Sequence, residues 1–113
     1  MAQLTSDIRQ KKCVPCEGGV RPLKPDEYGA FLRSELKEWS VLEEKVLEKW
    51  FKFRNFKEAL AFINKMGALA EEEGHHPDFS LFNWNKVKIN LTTHAIGGLS
   101  ENDFIMASKI DAL

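Results

Sequence analysis

Apolar residues take up helical spacing soon after Pro25, with Tyr28, Phe31, Leu32 and Leu36 recurring along one stripe. A proline near the first helical position, followed by Asp26 and Glu27, suits the positive end of a helix dipole. A first helix is therefore predicted to about Lys37. A second stripe, Ala59, Phe62, Ile63, Met66, Leu69 and Ala70, follows Asn55-Phe56-Lys57-Glu58, which has a capping asparagine and a glutamate three residues on. That helix should run to about Glu73, where Gly74 suits the left-handed closing position and Pro77 prevents continuation. From Phe79 the period drops to two. Val87, Ile89, Leu91 and Thr93 alternate with Lys88, Asn90, Thr92 and His94. Phe79–Trp84 and Val87–His94 are predicted to form a hairpin turning at Asn85-Lys86, with His94 at the strand end on the polar face. Gly97-Gly98 breaks the strand. Ser100-Glu101-Asn102-Asp103 reads as a capping box opening a last helix through Phe104, Ile105, Met106 and Ile110.

The stretch from Trp39 to Phe53 fits two patterns. Val41, Leu42, Lys45, Val46, Lys49, Trp50 and Phe53 fall on one helical stripe, whereas Leu47, Phe51 and Phe53 alternate with Glu48 and Lys52 as on a half-buried strand. Period alone favours the helix slightly. Before Pro25, the glycines, prolines and a Cys-Val-Pro-Cys give little periodicity, so residues 1–24 read as an irregular arm and 25–113 as a single domain.

Composition narrows the class. A chain of 113 residues holds one core, and 43% hydrophobic with 29% charged residues describes a folded globular protein. A net charge of -1 offers no attraction to a phosphate backbone, which argues against direct nucleic-acid binding. No apolar run reaches the roughly 20 residues that span a bilayer, and the polar N-terminus lacks the apolar core of a signal peptide. A cytoplasmic location and no membrane association are expected. Cys13 and Cys16 form one C-x-x-C, which suits reduced thiols in a turn better than half a zinc site, for want of a second pair.

All three histidines, His75, His76 and His94, lie between Glu71 and His94. Imidazole titrates nearest neutrality, so this stretch is the place for proton chemistry. Glu71 lies one helical turn before His75 and suits orienting an imidazole. Each residue also has a plainer reading. His-His-Pro serves as a solvated linker, His94 as a rim residue, Glu71 as a helix end, Asp103 as a cap and Trp84 as hairpin packing. Three imidazoles suffice for a metal, but adjacent residues on an extended chain point apart, so no metal site is expected.

The order Glu71, three residues, His75-His76-Pro77, an aromatic at Trp84, nine residues, His94, eight residues, Asp103 resembles the pterin-4a-carbinolamine dehydratases. The words HHPDF, NKVKINLTTH and GLSENDF resemble that family's too. The resemblance implies an α+β fold, with a four-stranded antiparallel sheet and three helices packed on one face. It thereby turns Trp39–Glu43 and Val46–Phe53 into strands joined at Glu44-Lys45. It implies removal of water from 4a-hydroxytetrahydropterin without metal or cofactor, in a homodimer or homotetramer with a pterin as its small-molecule partner. His75 and His94 would act as general acids. His76 would bind the pterin and assist proton removal, and Glu71 would support His75. Trp84 and Asp103 would line the substrate site, Asp103 near His94. Gly74 departs from the acidic residue that many relatives carry there. Two other classes stay open: a protein-interaction module, since some relatives bind a transcription regulator, and a small zinc protein using Cys13, Cys16 and one or two histidines.

Overall fold

The structure, a computed structural model, describes residues 8, 10–13 and 21–113. Its elements run α1 (Pro25–Arg33), β1 (Ser40–Leu42), β2 (Val46–Lys52), α2 (Phe56–Glu73), β3 (Asp78–Phe82), β4 (Lys86–Leu91), a 3-10 turn (His94–Ile96) and α3 (Glu101–Asp111). The strands form one antiparallel sheet in the order β1-β2-β4-β3, which matches the expected α+β architecture.

Strand alternation makes the sheet two-faced. Leu47 pairs with Leu91 and Phe51 with Val87, so these side chains share one face with Ile89. Leu47, Val87, Ile89 and Leu91 are fully buried there, under Phe62, Met66 and Ala70 of α2 and the almost wholly buried α3. Phe104 of α3 stacks on Tyr28 and Phe31 of α1 at 5.5 and 5.2 Å, which locks α1 to α3. The opposite face carries Trp50 and Phe82 in an edge-on pair at 5.0 Å, and Trp50 is 53% exposed.

The stretch 39–53 is a strand pair, not the helix its period slightly favoured. Lys49 sits on the core face, half-buried, with its ammonium 2.8 Å from Asp111 and 4.6 Å from the Phe51 ring centroid. A lysine inward and a tryptophan outward break the two-residue apolar alternation along this stretch.

Three boundaries differ from expectation. α1 stops at Arg33, where the Ser34 hydroxyl bonds back to the Ala30 carbonyl; Leu36 reaches the core from a turn instead. The β3–β4 turn lies at Asn83–Asn85, not Asn85-Lys86, with Asn83 and Trp84 left-handed. Buried Asn85 fixes it there, because its amide donates to the Phe53 carbonyl and its own carbonyl accepts from Phe53 N–H, each at 2.9 Å. Finally, β4 ends at Leu91, and His94 opens the 3-10 turn instead of closing a strand.

Much of the expected arm, Cys16 included, lies outside the described residues. Two described residues pack inward: Ile8 is buried, and Cys13 N–H donates to Glu73 at 2.9 Å. Burial pushes the Cys13 thiol up to about 12, aided by the Glu73 carboxylate. Among the described residues, no helix is long and apolar enough to cross a membrane.

Candidate active site

The site is assembled where α2 ends. Asn55 caps its start, accepting from Glu58 N–H at 2.8 Å, and Gly74 ends it at φ +69, a conformation that disfavours any side chain. The chain therefore leaves the helix abruptly and carries His75 and His76 across the open end of the sheet. From the other side, the loop after β4 brings His94. Thr93 pairs with Gly98 in an isolated bridge that closes this loop around the 3-10 turn. Gly98 is required there, because a Cβ would stand 2.7 Å from Pro22.

His75, His76 and His94 line one cleft of about 290 Å³ with Thr92, Thr93 and Asn102. That volume is near the lower end of the roughly 300–1,000 Å³ usual for small-molecule sites. A larger, mostly apolar hollow of about 480 Å³, lined by Ile63, Met66, Gly67, Pro77 and Phe79, adjoins it and shares His76. All three histidines line the smaller cleft, which makes it the candidate site.

Two imidazoles are held by carboxylates, in pairings other than those expected. His75 Nε2 lies 2.7 Å from Asp103 Oδ1, and Asp103 is fully buried. Glu71, expected to support His75, instead lies 2.6 Å from Nε2 of His76. The geometry explains the exchange. Beyond Gly74 the chain no longer follows the helix, so the one-turn relation between Glu71 and His75 is lost. The Glu71–His76 pair is exposed and contributes little stability, whereas the Asp103–His75 pair is shielded from solvent. Asp103, expected near His94, is both the third residue of the α3 capping box and the anchor of His75. Its other oxygen, Oδ2, accepts from Ser100 N–H at 2.9 Å and the Thr93 hydroxyl at 2.8 Å.

Trp84 is not brought to the site. It sits in the β3–β4 turn, at the far end of a strand of six residues, roughly 20 Å away at about 3.3 Å per residue. Phe79, missed as a site residue, is the aromatic beside His76. Thr93 and Ser100 were also missed, since hydroxyls in an alternating strand and a cap carry no signal of their own. Among the described residues, no three of His, Cys, Asp and Glu are placed to hold a metal ion.

Behind the cleft, Glu73 joins α2 to α3 and to the N-terminal residues, with Lys109 at 3.0 Å and Cys13 N–H at 2.9 Å. Burial pushes its carboxyl upward, but the Cys13 N–H and the Lys109 and Lys12 ammoniums outweigh this and hold it below the ordinary range.

Fold and cleft together define a small α+β protein with a histidine–carboxylate site suited to moving protons. The family model described as "Pterin 4 alpha carbinolamine dehydratase" matches residues 21–113, and the chain belongs to that family. It is 51% identical over 106 residues to a protein of Alkaliphilus metalliredigens named "Putative pterin-4-alpha-carbinolamine dehydratase", covering 94% of this chain and 95% of that one. A protein of the same name from Rubrobacter xylanophilus is 49% identical, with 96% and 99% covered. A transcriptional coactivator/pterin dehydratase from Brucella melitensis superposes with a TM-score of 0.72 at 31% identity, over 81% of this chain and 97% of that one. A pterin dehydratase-like protein, identified as a RuBisCO assembly factor in the alpha-carboxysome, gives 0.57 at 28% identity, with 66% and 87% covered.

Proposed function

We propose that this protein is a hydro-lyase that removes water from 4a-hydroxytetrahydropterin to give quinonoid dihydropterin, recycling the pterin after aromatic hydroxylation in the cytoplasm. In this reaction the C4a–O bond breaks, and the hydroxyl takes a proton and leaves as water. The electron pair of the neighbouring N5–H bond forms the C4a=N5 double bond, and that proton passes to a base. One proton is given and one taken, so neither metal nor redox cofactor is needed.

The observation that carries this reading is the convergence of His75, His76 and His94 on one cleft, with His75 anchored by a buried carboxylate. His75 and His94 approach from different chain segments and serve as general acids toward the hydroxyl. His76, paired with Glu71 and shared with the apolar hollow, contacts the pterin and takes the N5 proton. Acid–base assistance of this kind contributes about 10²–10⁴-fold in rate. His75→Ala and His94→Ala should each lower turnover at least about tenfold with unchanged far-UV circular dichroism. Full activity in both variants would remove the histidines from the mechanism.

We further propose a homodimer or homotetramer, and alongside catalysis a protein-binding role favoured by the exposed Trp50, packed edge-on against half-buried Phe82, on the helix-free sheet face. Light scattering of the purified protein should give two or four chain masses; a single mass would leave that face without a homologous partner.

A further inference from the structure

Asp103 is acceptor-only as a carboxylate, and this fixes the direction of every hydrogen bond around it. The Thr93 hydroxyl, 2.8 Å from Oδ2, has to donate its one proton there. Ser100 Oγ lies 2.7 Å from Thr93 Oγ1, so it is Ser100 that donates to Thr93. Ser100 N–H donates to the same Oδ2 at 2.9 Å. Oδ1 is left for His75, whose Nε2 at 2.7 Å has to carry a hydrogen even when the ring is neutral. The nitrogen not engaged by Asp103 is then Nδ1.

Thr93 is 3% exposed and its backbone is bound to Gly98, so the hydroxyl is presented from a fixed position. It immediately precedes His94, so one residue ties the loop carrying one proposed acid to the carboxylate holding the other.

We propose that Thr93 is a positioning residue for the dehydration. By donating to Asp103, and being donated to by Ser100, it holds the carboxylate in the one orientation that fixes His75 as the Nε2–H tautomer, leaving Nδ1 to exchange the proton with substrate. The catalytic part of this inference rests on the dehydratase reading; the tautomer part does not.

Thr93→Val keeps the shape and removes the donor, while Thr93→Ser keeps the donor. Long-range ¹H–¹⁵N correlation spectra of histidine-labelled protein report which ring nitrogen is protonated, without any substrate. Wild type and Thr93→Ser should show neutral His75 as Nε2–H, and Thr93→Val should show a mixture. Turnover should fall about tenfold in Thr93→Val with KM changed less than about twofold, and return to within about threefold of wild type in Thr93→Ser. An Nδ1–H tautomer in wild type overturns the proposal even if Thr93→Val fails to fold. So does a serine variant as impaired as the valine variant, or a folded valine variant with unchanged spectra and turnover. A wild type without dehydratase activity whose His75 tautomer still responds to Thr93→Val sinks the dehydratase reading and leaves the positioning role standing.

Discussion

Replacing Asp103 by asparagine isolates what its charge does, because the amide keeps the shape but offers one acceptor in place of two. Oδ2 faces two donors, Ser100 N–H and the Thr93 hydroxyl, and Oδ1 faces His75 alone. The amide oxygen should therefore settle on the Ser100–Thr93 side and turn its NH₂ toward His75 Nε2. Two donors then confront each other unless the imidazole gives up its Nε2 hydrogen. The protonated ring loses a charge-assisted bond of about 1.5–3 kcal/mol, in a cleft where His75 has little water to replace it. At about 1.4 kcal/mol per decade, turnover should fall roughly 10- to 150-fold. Stability should drop by only about 1 kcal/mol, since the helix cap is retained. Asp103→Ala leaves the Thr93 hydroxyl, Ser100 N–H and His75 without their acceptor and should cost about 3 kcal/mol in addition to activity. Stopped-flow absorbance of the quinonoid product, beside urea denaturation, separates the two effects. An Asp103→Asn protein within twofold of wild-type turnover would refute the claim that this carboxylate organises His75.

Trp84→Gly should leave KM and turnover unchanged, because the residue lies at the far end of the hairpin. It should raise stability by about 1 kcal/mol by relieving a left-handed tryptophan, measurable as a higher Tm. The Glu73 carboxyl is depressed in the folded state, so its stabilisation is complete above its ordinary value of 4.5 and lost as pH falls through the folded value. Glu73→Ala should accordingly cost about 2 kcal/mol at pH 7 and flatten the acid slope of stability below about pH 4.5 in urea titrations. With its thiol near 12 instead of 9.0, Cys13 should react with iodoacetamide at pH 8 about 10³-fold more slowly than an exposed thiol, followed by peptide mass mapping.

The two long helices and β4 were legible because their apolar periods are clean and their ends are marked by Asn55, Gly74 and Ser100. The segment 39–53 was not legible from period, since Lys49 turns inward to an aspartate sixty-two residues away and Trp50 turns outward. No local pattern records such a partner; the family resemblance supplied the strands. The histidines are legible by residue type, but Asp103 near His94 rests on the resemblance alone, and the pairing of Glu71 with His75 rests on helical spacing, which fails at Gly74. There the backbone reverses hand, and α3 delivers Asp103 to His75 while Glu71 falls to His76. Trp84 enters the expected site through the family pattern alone, and the hairpin register, fixed by buried Asn85 on β2, carries it to the far end of the strands.

If the dehydratase reading holds, this cleft accelerates loss of water from a pterin carbinolamine. Freshly prepared 4a-hydroxytetrahydropterin, mixed with catalytic amounts of the purified wild-type protein, reports on it through the absorbance of the quinonoid product. Dehydration should exceed the spontaneous rate in proportion to protein concentration and persist in the presence of a metal chelator. A rate equal to the spontaneous one at every protein concentration would contradict it.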